Sequence, residues 1–273
     1  AVLIGGAMSL SGAAYQGMFK NPLVSPDILG SSAGAGFGAA VGILLSFSVA
    51  GVKTSSFVCG ILAVSLTWFI SQRFGKGSDN LFLLILGGII VSNLFQSLIS
   101  LVKYAADPTD KLPAITFWLM GSLSKATMQD VKIMLVPFAV CTGILIFCSG
   151  QLNILALGDE EAKTLGVNTV LLQGFVIVTA TVLTAFSVSF CGMIGWVGLV
   201  VPHLARMMIG PNFKYLIPAS ALLGSSYLLI MDGFCRSVFA VEIPLGIVTS
   251  LAGLPFFHIM LTLKVTAFHI PAR

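Results

Sequence analysis

The chain has 273 residues, 57% of them hydrophobic and only 9% charged, with a net charge of +4. A soluble domain is about 25% charged, and a mean hydropathy of +1.03 points the same way. This composition excludes a soluble enzyme, a disordered chain and a nucleic-acid binder, since the lysines and arginines lie scattered between apolar runs rather than gathered into a patch.

Uncharged runs cover 1–19, 28–52, 54–72, 80–102, 133–158, 164–205, 215–231 and 243–263. A bilayer core of ~30 Å needs about 20 helical residues at about 1.5 Å each. Each run fits one span, except that 164–205 is long enough for two, which makes nine candidate spans. Lipid offers backbone amides no partners, so helices are expected rather than open strands. The predicted fold is an all-α polytopic membrane protein in contact with lipid, one transmembrane domain over residues 1–273.

In chain order, the first span is rich in small residues and ends at Lys20-Asn21-Pro22. Pro22 and Pro26 then favour extended turns, with Asp27 expected to cap the next helix. There Gly30, Gly34, Gly38 and Gly42 recur every four residues, a small-xxx-small stripe that lets membrane helices pack backbone to backbone. Gly30-Ser31-Ser32-Ala33-Gly34 and Gly34-Ala35-Gly36-Phe37-Gly38-Ala39 match a nucleophile elbow and a dinucleotide fingerprint. Both mechanisms need a strand–turn–helix, which the context does not offer. The stretch Leu112–Ser124 is too short to cross and reads as a re-entrant or interfacial helix, with Trp118 expected at the headgroup level.

Gly158-Asp159-Glu160-Glu161-Ala162-Lys163-Thr164-Leu165-Gly166 is the most polar segment and reads as a short surface helix. Its acids suit the positive end of the helix dipole, and Gly166 suits the left-handed position after the last turn. Consecutive acids on a helix point apart, so no metal site is expected there. The run from Thr164 should break around Cys191–Gly198. His203 follows a proline in an apolar run and reads as a packed or interfacial histidine. Asp232 and Arg236 form an i,i+4 pair at a span boundary. The five cysteines form no CxxC and read as small packing residues.

Several segments in order resemble the permease family of bacterial ABC importers for iron–siderophores, haem and vitamin B12. They are Asn21–Gly30 (NPLVSPDILG), Phe117–Ser122 (FWLMGS), Gly158–Gly166, Gly198–Arg206 (GLVVPHLAR) and Glu242–Gly246 (EIPLG). The resemblance implies ten spans per subunit, so the first family helix would precede residue 1. It implies a dimer with a second permease copy or a similar paralogue, two cytoplasmic ATP-binding cassette subunits, and an extracytoplasmic substrate-binding protein, all in the bacterial plasma (inner) membrane. On that mapping Gly158, Asp159, Glu160, Glu161, Ala162, Lys163, Leu165 and Gly166 belong to the segment that docks into the ATPase. Ser78, Asp79 and Asn80 lie at the cytoplasmic gate, where Asp79 departs from the family pattern, and Arg236 pairs with acids of the binding protein. Eight cations (Lys20, Arg73, Lys76, Lys163, Arg206, Lys214, Lys264, Arg273) would lie inside and six (Lys53, Lys103, Lys111, Lys125, Lys132, Arg236) outside, in the sense of the positive-inside rule.

No catalytic chemistry, cofactor or resident metal is expected, and the chain has no GxxxxGK[ST] loop, so a partner would hydrolyse ATP. The expected cargo is an iron–siderophore, with haem or cobalamin behind it. An ion-gradient-driven secondary transporter is the alternative. It would place acids near mid-span, whereas here they sit at the ends of the runs. An intramembrane enzyme would need a catalytic dyad, for which His203, His258 and His269 offer no evident partners in sequence.

Overall fold

The computed structural model describes residues 1–74, 80–238 and 242–255, and among these every regular element is helical. In order they are α1 (Val2–Met18), a 3-10 turn (Pro26–Leu29), α2 (Ser31–Leu44), α3 (Val49–Phe74), α4 (Asn80–Ala105), α5 (Lys111–Leu119), α6 (Met128–Leu155), α7 (Asp159–Thr164), α8 (Thr169–Cys191), α9 (Val197–Ile209) and α10 (Phe213–Ser237). A last apolar helix, α11, covers Leu245–Pro255. Five helices (α3, α4, α6, α8 and α10) are long and apolar enough to cross a membrane, while α2, α9 and α11 are shorter apolar helices.

One run and one cap differ in detail from the sequence expectation. The run 28–52 is not one span: α2 stops at Leu44, Ser46 adopts a left-handed φ of 58°, and α3 begins at Val49, so Lys53 lies inside a helix. Asp27 does not cap a helix by its backbone contacts either. Ser25 caps the 3-10 turn, and the Asp27 carboxylate instead accepts the Ser32 hydroxyl in the first turn of α2. The run 164–205 does divide where expected. Gly192 follows α8 at φ +73°, with its Cα flank closed by the Gly121 and Trp118 backbones, so only glycine fits.

The centre of the molecule is α1. Every residue from Ile4 to Met18 is buried, enclosed by α6, α8, α9 and α10. Side chains at Gly5 and Gly12 would strike the Gly224 and Gly198 carbonyls, so α1 meets α10 and α9 backbone to backbone. Three of its polar side chains, Ser11, Tyr15 and Gln16, bond to neighbouring helices. Ser11 Oγ donates to Ala7 O (2.8 Å) and Ala180 O (3.2 Å), Tyr15 Oη shares a hydrogen bond with Thr181 Oγ1 (3.1 Å), and Gln16 Nε2 donates to Leu199 O (3.1 Å).

Helix α5 has nine residues and is too short to cross, as expected. It starts where Lys111 Nζ donates to Ser46 Oγ (2.7 Å) and ends with Leu119 against Gly36 in the middle of α2. The chain after it is held by Ser122 N–H to Cys191 O (2.8 Å), Leu245 N–H to Gly121 O (2.9 Å) and Gly246 N–H to Met120 O (3.1 Å). Trp118 is half-buried. It packs with Phe37 and Met193 on a satellite core of Ala40, Ile99, Val102, Ile115 and Leu119.

Candidate functional site

The spans leave two polar faces, and side-chain bonds hold each together. On the α7 face, Lys20 Nζ pairs with Asp159 Oδ1 at 2.5 Å. Asn153 at the end of α6 binds Asn212 Oδ1 (2.9 Å) and accepts the Phe213 N–H (2.8 Å). On the Arg236 face, Lys53 Nζ pairs with Asp130 Oδ1 (2.5 Å) and lies 4.9 Å from the centre of the Phe190 ring, which joins α3, α6 and α8.

The predicted surface helix is present as α7. Asp159, Glu160 and Glu161 occupy its first turn, Gly158 sits at φ +150° before it, and Ala162 points into the core with no exposed surface. At its end Val167 N–H bonds Ala162 O (2.9 Å) and Gly166 N–H bonds Lys163 O (3.0 Å). That is a Schellman ending, with Gly166 in the left-handed position at φ +81° and no atom within 4 Å of where a Cβ would stand. Glu160 and Lys163 pair at 2.9 Å on the outer side, which raises the lysine pKa through the hydrogen bond. Leu157 and Leu165 are exposed beside them. The helix therefore presents an acidic and apolar ridge, anchored from below by one methyl group and from the side by Lys20.

The other sequence candidates are scattered. Ser78 and Asp79 lie outside the described residues; Asn80 is the first residue of α4, a helix that starts on the α7 face. Gly34, Gly38 and Gly42 line the seam of α2 with α3, where a Cβ on Gly34 would stand 2.5 Å from Cys59 O. Gly30 is not part of that stripe. It precedes α2 at φ +86° and faces Ser92 of α4. Arg236 Nε donates to Asp232 Oδ1 (3.1 Å), the i,i+4 pair expected from spacing, and its other end reaches Glu242 (3.9 Å). With its side chain 43% exposed, part of the guanidinium stays open to a partner. His203 is buried within α9.

Sequence reasoning missed Lys20, Asn153, Asn212 and the Lys53–Asp130 pair. Lys20 and Asp159 are 139 positions apart, and no local pattern joins them.

Comparison with known proteins places this arrangement. The model of the FecCD transport family matches residues 1–263. The chain is 42% identical over 260 residues to the molybdate import system permease protein MolB of Haemophilus influenzae, covering 95% of this chain and 77% of that one. It is 37% identical over 267 residues to the hemin transport system permease protein HmuU of Yersinia pestis, covering 94% and 78%. A solved inward-facing metal-chelate type ABC transporter superposes with a TM-score of 0.90 at 39% identity, over 96% of this chain and 83% of that one.

Proposed function

Given that the chain belongs to the FecCD transport family of ABC-importer permeases, we propose that it forms the translocation path for a chelated metal, driven through α7. It is a multi-pass protein of the bacterial inner membrane. In the proposed assembly the α7 face is cytoplasmic and receives a separate ATPase subunit, while the Arg236 face is extracytoplasmic and receives a substrate-binding protein. A second permease subunit completes the path. Ser78, Asp79 and Asn80 belong to the cytoplasmic gate of that arrangement.

The observation that carries this reading is the form of α7. A six-residue helix outside the spans has its charged ridge and two leucines turned outward, and a left-handed glycine at its end with open space around it. A side chain at Gly166 meets nothing within the permease but is strained at φ +81°, so the effect of bulk on the partner is read against a small residue that accepts that backbone. In a complex purified with its ATPase, Gly166→Trp should abolish uptake while ATP is still hydrolysed. Gly166→Asn, which tolerates the left-handed backbone, should keep transport. Normal uptake by the Trp variant would remove α7 from the coupling role. For Arg236, reversal to Glu should slow association of the binding protein several-fold at low salt and little at high salt. Equal rates at low salt would exclude docking there.

Iron–siderophore is the first cargo proposed, with haem and cobalamin next. A second reading is a molybdenum oxyanion, favoured by the 42% identity to a molybdate permease. Uptake by the reconstituted system of radiolabelled ferric siderophore, haem, cobalamin and molybdate, each against the other three, decides between them.

A further inference from the structure

The end of α1 is unusual for what stands there. Asn21 N–H bonds Gln16 O (3.2 Å) and Lys20 N–H bonds Gly17 O (3.3 Å), so α1 closes in a Schellman motif. The residue in the left-handed position, normally glycine, is Lys20 at φ +52°. An L side chain there is strained, and strain of this kind marks places where the side chain is needed. The Lys20 side chain runs to Asp159 in the first turn of α7, with both partners about a third exposed. Elsewhere on α7, Lys163 donates to Glu160 and Thr164 Oγ1 to Glu161 O, both within the helix. Lys20 is therefore a polar tie between α7 and the central helix, whose Tyr15 and Gln16 are bonded onward to α8 and α9.

We propose that Lys20 is a positioning residue for coupling. Its ammonium, aimed by the left-handed backbone, fixes the azimuth of α7 so that displacement of α7 by the ATPase reaches α1 and the spans around it. The proposal rests on the coupling reading of α7. An exposed pair of this kind contributes little to stability, so the predicted consequence is loss of transmission rather than loss of fold.

Substitution by glycine separates the two roles, because Lys20→Gly removes the cation while relieving the backbone. In the complete complex in lipid nanodiscs, with ATPase and binding protein, Lys20→Gly should leave the unfolding midpoint unchanged or raised. It should cut the stimulation of ATP hydrolysis by loaded binding protein several-fold, and uptake per ATP in proteoliposomes should fall equally. Lys20→Arg should retain both, and the charge exchange Lys20→Asp with Asp159→Lys should recover part of what Lys20→Gly loses. Full stimulation in Lys20→Gly alongside an uncoupled Gly166→Trp would overturn the role of Lys20 and leave α7 as the coupling helix. Full coupling in both variants would overturn both readings. Loss of coupling in Lys20→Arg equal to that in Lys20→Gly would also overturn the ion pair as the cause.

Discussion

Helices α1 and α6 both cross the molecule, yet they are built by opposite rules. Along α1 everything from Ile4 to Met18 is enclosed, and Gly5 and Gly12 meet backbone carbonyls of α10 and α9. The 28-residue α6 is among the most apolar helices, but only Met134, Cys141, Leu145, Cys148, Ser149, Leu152 and Leu155 on it are buried, and Phe147 is 85% exposed. Hydropathy therefore does not tell a lipid-facing helix from an enclosed one, since α8 is about as apolar as α4 and is mostly buried. The helix at the centre is marked by small residues, because lipid is as apolar as leucine and association between spans depends on shape and hydrogen bonds.

Glycines on the two helices offer the largest test of this difference. Gly12→Leu drives a side chain into the Gly198 backbone, which no rotamer relieves, and the cost should exceed about 3 kcal/mol. Gly143 of α6 has nothing within 4 Å of where a Cβ would stand, so Gly143→Leu should be neutral. Yield of monodisperse protein after detergent extraction and its thermal midpoint measure both. A folded Gly12→Leu protein with an unchanged midpoint would mean that α1 is not packed as described.

The same contrast accounts for what was legible in the sequence. Charge-free length located the five long spans, and glycine and charge located the break at Gly192 and the surface helix with Gly166 at its end, because these are local consequences of composition and of glycine's backbone. None of these could identify α1 as the centre, since enclosure depends on which helices surround it. The gap between α2 and α3 was hidden because Ser46 does the turning work a glycine would advertise. Lys20 was invisible for the same reason, and its partner Asp159 lies far along the chain, beyond α6. The satellite core under Trp118 was not legible, because a lone tryptophan in a short apolar stretch fits an interface as well as such a core.

A smaller effect separates hydrogen bonding from packing at the centre. Tyr15→Phe keeps the ring and removes the bond to Thr181 Oγ1, both groups buried in α1 and α8. Interhelical hydrogen bonds in membrane proteins average about 0.6 kcal/mol and reach about 1.7 kcal/mol, and the loss should fall in that range by thermal unfolding in the same detergent. A loss as large as that of Gly12→Leu would mean that the polar contacts, rather than backbone fit, hold α1 in place.

The smallest effect belongs to the rim, at the start of α6. Thr127 accepts the Asp130 N–H (3.3 Å) and its own N–H donates back to Asp130 Oδ2 (2.9 Å), a reciprocal cap on the first turn. The second oxygen of Asp130 holds Lys53 at 2.5 Å. Removing the hydroxyl by Thr127→Ala deletes one side of the cap but leaves the carboxylate with both Lys53 and the backbone N–H at position 127, which alanine also provides. With half the cap retained, the expected loss is about 0.5 kcal/mol, the low end for an N-cap. Asp130→Ala should cost more than Thr127→Ala, because it removes the cap and strands the Lys53 ammonium beneath Phe190. If the two substitutions were equal, Lys53 would be held by the aromatic ring alone, and the three-helix clamp on this face would reduce to a contact between α3 and α8.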